Sequence, residues 1–145
     1  ALVYSKQGKY DLALEFYAKA LPIDLTLGAN HAEVAYPYNG LGEVYSALGD
    51  FAKALEYFNK ALSIRLEQLG PEHSDLGWTY NSLGEMYSSQ GAFTQAIGYF
   101  DKALAIRLKL GAAHPDTIET YKSIADVYEK QGDSEKAMEV RAKIV

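Results

Sequence analysis

Tyr38-Asn39-Gly40-Leu41-Gly42-Glu43-Val44-Tyr45 returns, 42 residues later, as Tyr80-Asn81-Ser82-Leu83-Gly84-Glu85-Met86-Tyr87. The tyrosine that closes each stretch belongs to a longer column, Tyr4, Tyr45, Tyr87 and Tyr128, spaced by 41, 42 and 41 residues. Gly8, Gly49, Gly91 and Gly132 keep the same intervals, and so do Ala13, Ala54, Ala96 and Ala137. In another phase, Leu27-Gly28-Ala29-Asn30-His31, Leu69-Gly70-Pro71-Glu72-His73 and Leu110-Gly111-Ala112-Ala113-His114 follow the same period. Self-similarity at this spacing marks an array of small stacked units rather than one globular core.

Each period reads as two helices. From Tyr38, apolar residues fall at Leu41, Tyr45 and Leu48, the three-or-four spacing of one helical face. That stretch stops at Gly49, where a left-handed residue closes a helix. A second amphipathic run, Phe51, Ala54, Leu55, Phe58, Ala61, Leu62 and Leu66, ends at Gly70. The next helix opens after His73 or His114, with Asp75 or Asp116 in its first turn and Pro115 at a first helical position. No segment alternates with period two, so an all-helical fold is expected.

Four glycines (8, 49, 91, 132) are assigned to the ends of first helices and three (28, 70, 111) to the ends of second helices. Gly42 and Gly84 fall mid-helix, where glycine costs about 1 kcal/mol, so close packing against the partner helix is expected there. Gly40, Gly77 and Gly98 have no assigned role. Pro22 and Pro37 fall inside expected helices, which implies for Pro37 either a bend or a helix that begins late, near Tyr36.

The pattern Tyr38-x2-Leu41-Gly42-x2-Tyr45-x8-Ala54-x3-Phe58-x2-Ala61, copied in Tyr80, Leu83, Gly84, Tyr87, Ala96, Phe100 and Ala103, resembles the tetratricopeptide repeat. The long period resembles the repeats of kinesin light chains and nephrocystin-like proteins. The resemblance covers essentially the whole chain. It implies an α-solenoid of helix-turn-helix repeats wound as a right-handed superhelix, with first helices lining the concave side. The expected division is a partial repeat at 1–28 whose first helix is truncated, repeats at 29–70 and 71–111, and a cap-like repeat at 112–145. In that last repeat Ser134, Arg141 and Ile144 replace the Phe93, Phe100 and Ala103 of the one before. The early start at Ala1 is expected to be a cut through a longer array.

The 145 residues carry 14 basic and 19 acidic side chains, a net charge of −5, and no cysteine. The acidic balance argues against nucleic acid as a partner. Lack of cysteine excludes a disulfide framework and thiolate metal or redox chemistry. No apolar run suits a membrane helix and no signal-peptide pattern is present, so no membrane association and a cytoplasmic location are expected. His31, His73 and His114 lie at repeat-equivalent loops, too far apart to converge on one metal, and are expected to start helices. No nucleophile elbow or phosphate-binding loop is present, so no enzyme activity, cofactor or metal is expected. The tyrosine columns, including Tyr38, Tyr80 and Tyr121, are expected to be core.

The resemblance places ligand contacts on first-helix positions beside the packing stripe. These are Tyr36, Asn39, Glu43, Ser46 and Ala47; then Trp78, Asn81, Glu85, Ser88 and Ser89; then Glu119, Lys122, Asp126, Glu129 and Lys130, with Ser5 and Lys6 from the first repeat. Asn39 and Asn81 are expected to grip the backbone of an extended peptide through amides that both donate and accept. Tyr36 and Trp78 would supply aromatic contacts. Tetratricopeptide modules that clamp terminal carboxylates use basic groove residues. Here the matching positions hold Asn39, Glu43, Ser82, Trp78 and Ser123, so no such clamp is expected. Kinesin light chains take acid-flanked tryptophan peptides into a basic groove, whereas these positions sum to −2, favouring a neutral or basic segment. The expected function is a non-enzymatic scaffold that binds a peptide or helix of a partner protein. The alternative is a structural spacer or self-associating array, joined through Leu2 and Val3 at the truncated end.

Overall fold

The computed structural model describes residues 9–19 and 35–144. Tyr4, Gly8, Pro22, Gly28, His31, Leu2, Val3, Ser5 and Lys6, with the readings placed on them, lie outside these. Among the described residues every regular element is helical, and no helix is long and apolar enough to cross a membrane. The chain divides into two compact units, Ala1–Pro71 and Glu72–Val145.

The first unit contains α1 (9–19), α2 (Ala35–Ala47) and α3 (Phe51–Leu69). Pro37 is the third residue of α2. The helix therefore begins late, and the missing N–H falls in the first turn, where no intrahelical partner exists. α2 and α3 pack as an antiparallel pair. Leu41, Val44, Ala54, Phe58, Ala61 and Ile64 are buried. A Cβ at Gly42 would stand 2.6 Å from the Phe58 ring, so the mid-helix glycine makes room for the phenylalanine of its partner helix. Gly40 serves the same end for the Tyr17 ring of α1.

The second unit contains α4 (Ser74–Ser89), α5 (Phe93–Arg107), a 3-10 turn at Leu108–Leu110, α6 (Pro115–Lys130) and α7 (Ser134–Arg141). α4 packs on α5, α5 on α6, and α6 on α7. Phe100, Ala96, Ile124 and Val127 form its core, with Tyr87, Ile97, Leu104, Tyr128 and Val140 partly buried around them. Phe100 lies over Gly84 as Phe58 lies over Gly42. In α6 the same column bears Ala125, and the phenylalanine column bears Arg141, whose guanidinium pairs with Glu129 at 2.8 Å.

Local chemistry repeats from unit to unit. Gly49, Gly91 and Gly132 have φ of 84°, 79° and 81°. The residue after each donates back to a tyrosine carbonyl: Asp50 to Tyr45, Ala92 to Tyr87 and Asp133 to Tyr128, at 2.8–2.9 Å. This six-to-one bond closes each first helix. Asp50 and Asp133 then cap the following helix by accepting from Lys53 and Lys136. His73 and His114 cap α4 and α6, each accepting through Nδ1 from an aspartate N–H two residues on at 3.1 Å.

The tyrosines depart from the expectation of core. Of the two first-helix columns, Tyr121 is buried, while Tyr38, Tyr45, Tyr80, Tyr87 and Tyr128 are half-buried. The reason is a third tyrosine on each second helix. Tyr57 stacks between Tyr38 and Tyr45 at 6.1 and 5.6 Å, and Tyr99 between Tyr80 and Tyr87 at 6.3 and 5.4 Å. Lys60 and Lys102 lie over these stacks at 5.2–5.6 Å. A ring flanked by rings keeps its apolar faces covered while its hydroxyl edge stays in water.

Candidate functional site

In the second unit, α4 offers Glu85, Ser88 and Ser89, and α6 offers Ser123, Asp126 and Lys130, each set spaced to share one helical face. These six side chains surround a cavity of about 210 Å³, with Phe100 contributing from α5. Lys130 Nζ donates to Ser88 Oγ across it at 3.5 Å. Two carboxylates and one ammonium leave the rim mildly anionic. Asp126 also lines a second cavity of about 460 Å³ with Lys122, Arg141 and Ile144. Glu129 is held instead by Arg141, and Trp78 is half-buried. Among the described residues, no three His, Asp or Glu side chains gather as a metal ion requires.

The two asparagines expected to grip a peptide backbone are enclosed. Asn39 is fully buried and Asn81 is 3% exposed. In the first unit the Arg65 guanidinium donates to Asn39 Oδ1 at 3.2 Å, and Asn39 Nδ2 donates to Glu43 Oε1 at 3.2 Å. In the second, Thr120 Oγ1 donates to Asn81 Oδ1 at 3.1 Å, while Asn81 Nδ2 donates to Glu85 Oε1 at 3.2 Å and to Glu119 Oε1 at 3.4 Å. Both ends of each amide are hydrogen-bonded within the protein, where the asparagines hold carboxylates in place. Tyr36 is 63% exposed, with the Arg65 guanidinium 6.0 Å from its ring centre. Glu43 is exposed and Ser46 half-buried on the same helix. Burial, then the neighbouring Glu43 and Tyr36, push the Tyr17 phenol above its ordinary range.

Sequence reasoning missed the arginines beneath this layer. Arg65 and Arg107 are 1% and 5% exposed. Arg107 Nη1 donates to Thr120 Oγ1 at 2.9 Å and to the Asp116 carbonyl at 3.2 Å, and its own carbonyl accepts from Thr117 Oγ1. Its stem passes Gly77, where a Cβ would meet it at 3.2 Å. The signal was present: Ile64-Arg65-Leu66 recurs as Ile106-Arg107-Leu108, each arginine four and seven residues beyond the buried alanine and phenylalanine of its helix. No buried side-chain nitrogen or oxygen among the described residues lacks a hydrogen-bond partner. A fully satisfied buried network of this kind fixes one packing arrangement.

Helix–turn–helix units at a 41–42-residue period, closed by shared caps, define a helical-repeat protein of the α-solenoid class. The sequence matches the tetratricopeptide repeat over residues 1–67, 38–109 and 75–140, and the chain belongs to that family, whose fold serves in general as a protein–protein interaction scaffold. No curated protein matches it. Among solved structures, BtubC (BKLC) from P. vanneervenii is similar with a TM-score of 0.77 and 31% identity, over 96% of this chain and 59% of that one. A putative kinesin light chain with nearly identical TPR-like repeats, from Podosopora anserina, is similar in fold with a TM-score of 0.77 and 23% identity, over 94% and 66%. The chain thus spans roughly three-fifths to two-thirds of the length of these structures.

Proposed function

We propose that this scaffold holds an extended segment of a neutral-to-basic partner protein against its first helices. The observation that carries the reading is the α4–α6 cavity, where Glu85, Ser88 and Asp126 meet around one space. Carboxylates beside hydroxyls accept from lysine or arginine side chains and from peptide N–H groups alike. Asn81 contributes indirectly, by holding Glu85 and Glu119 from below. In the first unit Glu43 and Ser46 stand at the equivalent positions, and Asn39 holds Glu43 in the same way.

The test uses fluorescence anisotropy with two labelled extended peptides of equal length, one lysine-rich and one glutamate-rich. The lysine-rich peptide binds more tightly. Replacing Glu85→Gln together with Asp126→Asn weakens it about fivefold at low salt, as two exposed charges would, without lowering Tm. Equal affinity for the two peptides, or an unchanged affinity in the double variant, overturns the assignment.

A further inference from the structure

The outer stripe of α3 reads Lys53, Glu56, Tyr57, Lys60, and that of α5 reads Gln95, Gly98, Tyr99, Lys102 at the same spacing. In α3 the stripe is closed, because Glu56 Oε1 lies 3.3 Å from Lys60 Nζ. In α5 glycine takes the place of that glutamate. Nothing lies within 4 Å of where a Cβ at Gly98 would point, and Gln95, Gly98, Tyr99 and Lys102 line an open notch of about 230 Å³. None of these residues lines the α4–α6 cavity.

Glycine in an exposed helix interior is unfavourable by about 1 kcal/mol, and here no packed ring explains it, unlike at Gly42 or Gly84. The glycine removes both the bulk and the acid that would fill the notch. Lys102 has no acidic residue three or four positions away on its own helix. Its ammonium lies over the rings of Tyr80 and Tyr99, at 5.6 and 5.2 Å, as Lys60 lies over Tyr38 and Tyr57, but without the carboxylate that also holds Lys60. The notch therefore joins one cation and one amide to an aromatic wall, over a helix backbone bared by Gly98.

We infer that this notch is a second docking point, taking an acidic segment of a partner protein in which a carboxylate neighbours an aliphatic side chain. The carboxylate accepts from Lys102 and from the Gln95 amide, and the aliphatic group lies on Tyr99 above Gly98. The charge of the stripe selects this occupant. The α5 stripe holds one lysine and no acid, whereas in α3 Lys60 is paired with Glu56 and Lys53 lies beside Asp50. The inference is independent of the groove assigned above, which favours ligands of the opposite charge.

The experiment titrates the full ¹⁵N-labelled chain with a terminally blocked hexapeptide of alternating glutamate and leucine, and with its glutamine-for-glutamate counterpart. Amide shifts are expected at Gln95, Gly98, Tyr99 and Lys102, with the glutamine peptide at least fivefold weaker. Gly98→Glu, which rebuilds the arrangement of α3, is expected to weaken binding at least tenfold while Tm stays equal or rises. Lys102→Gln weakens it likewise. The inference is overturned if Gly98→Glu binds as well as the parent, or if the glutamine peptide is equivalent. It is equally overturned if the shifts fall at Glu85, Ser88 and Asp126, if none arise at millimolar peptide, or if they arise from protein concentration alone and so report a second copy.

Discussion

Glycine does opposite things at two positions of this chain, and one substitution separates them. At Gly84 an added methyl would stand 2.6 Å from the Phe100 ring, while at Gly98 it would meet nothing within 4 Å. Gly98→Ala is therefore expected to stabilise by about 0.5–1 kcal/mol through helix propensity alone. Gly84→Ala gains the same propensity but forces a core ring to shift, for a net loss of about 1–2 kcal/mol. Urea unfolding of the two variants, compared with the parent, checks both signs. The sequence made Gly84 legible because a glycine beside a repeated leucine and opposite a repeated phenylalanine implies contact. It did not make the burial of Asn39 and Asn81 legible, because a polar side chain beside the apolar stripe carries no periodic sign of being enclosed. Arg65 holds Asn39 directly, and Arg107 reaches Asn81 through the Thr120 hydroxyl. An arginine recurring on a phenylalanine–alanine face is as informative as the phenylalanine itself.

At the scale of the element, termini were the readable part. The left-handed glycines, the aspartates that follow them and the histidines that open α4 and α6 all sit where helix-capping chemistry puts them. The third repeat lacks one piece. Ala92 has the backbone of a capping residue, φ −86° and ψ 70°, close to Asp50 at −89° and 75°, and supplies no side-chain bond. Ala92→Asp is expected to add about 1 kcal/mol of stability, seen as a higher urea midpoint at unchanged slope. The tyrosine stacks were only half legible. The first-helix columns are obvious from their period, but Tyr57 and Tyr99 belong to the second helices, and stacking joins residues from both members of a pair.

For the molecule as a whole, the Tyr80–Tyr99–Tyr87 stack ties stability to alkaline pH. Burial, and then the neighbouring Tyr99, raise the phenols of Tyr80 and Tyr87 above the usual value of 10.0. The folded chain thus holds protons that the unfolded chain has already released. Stability from these groups is complete below about pH 10 and is lost as pH climbs from there through their raised folded values. The urea midpoint is expected to fall as pH rises past about 10, alongside a tyrosinate absorbance rise that lags behind the denatured chain. Replacing Tyr99→Phe should reduce the lag.

Gly42 and Gly84 face Phe58 and Phe100; the equivalent positions of the last repeat hold Ala125 and Arg141. Each glycine accompanies a ring, and the alanine accompanies the arginine. Exchanging either member alone moves against its neighbour: Arg141→Phe brings a ring toward a methyl, and Ala125→Gly loosens a helix for no ring. Only the double exchange restores the glycine–phenylalanine pair, and because both positions lie within one repeat, a whole repeat carries both while a single helix carries one. The two positions are therefore expected to be epistatic, and exchanging single helices between repeats is expected to be costlier than exchanging whole repeats.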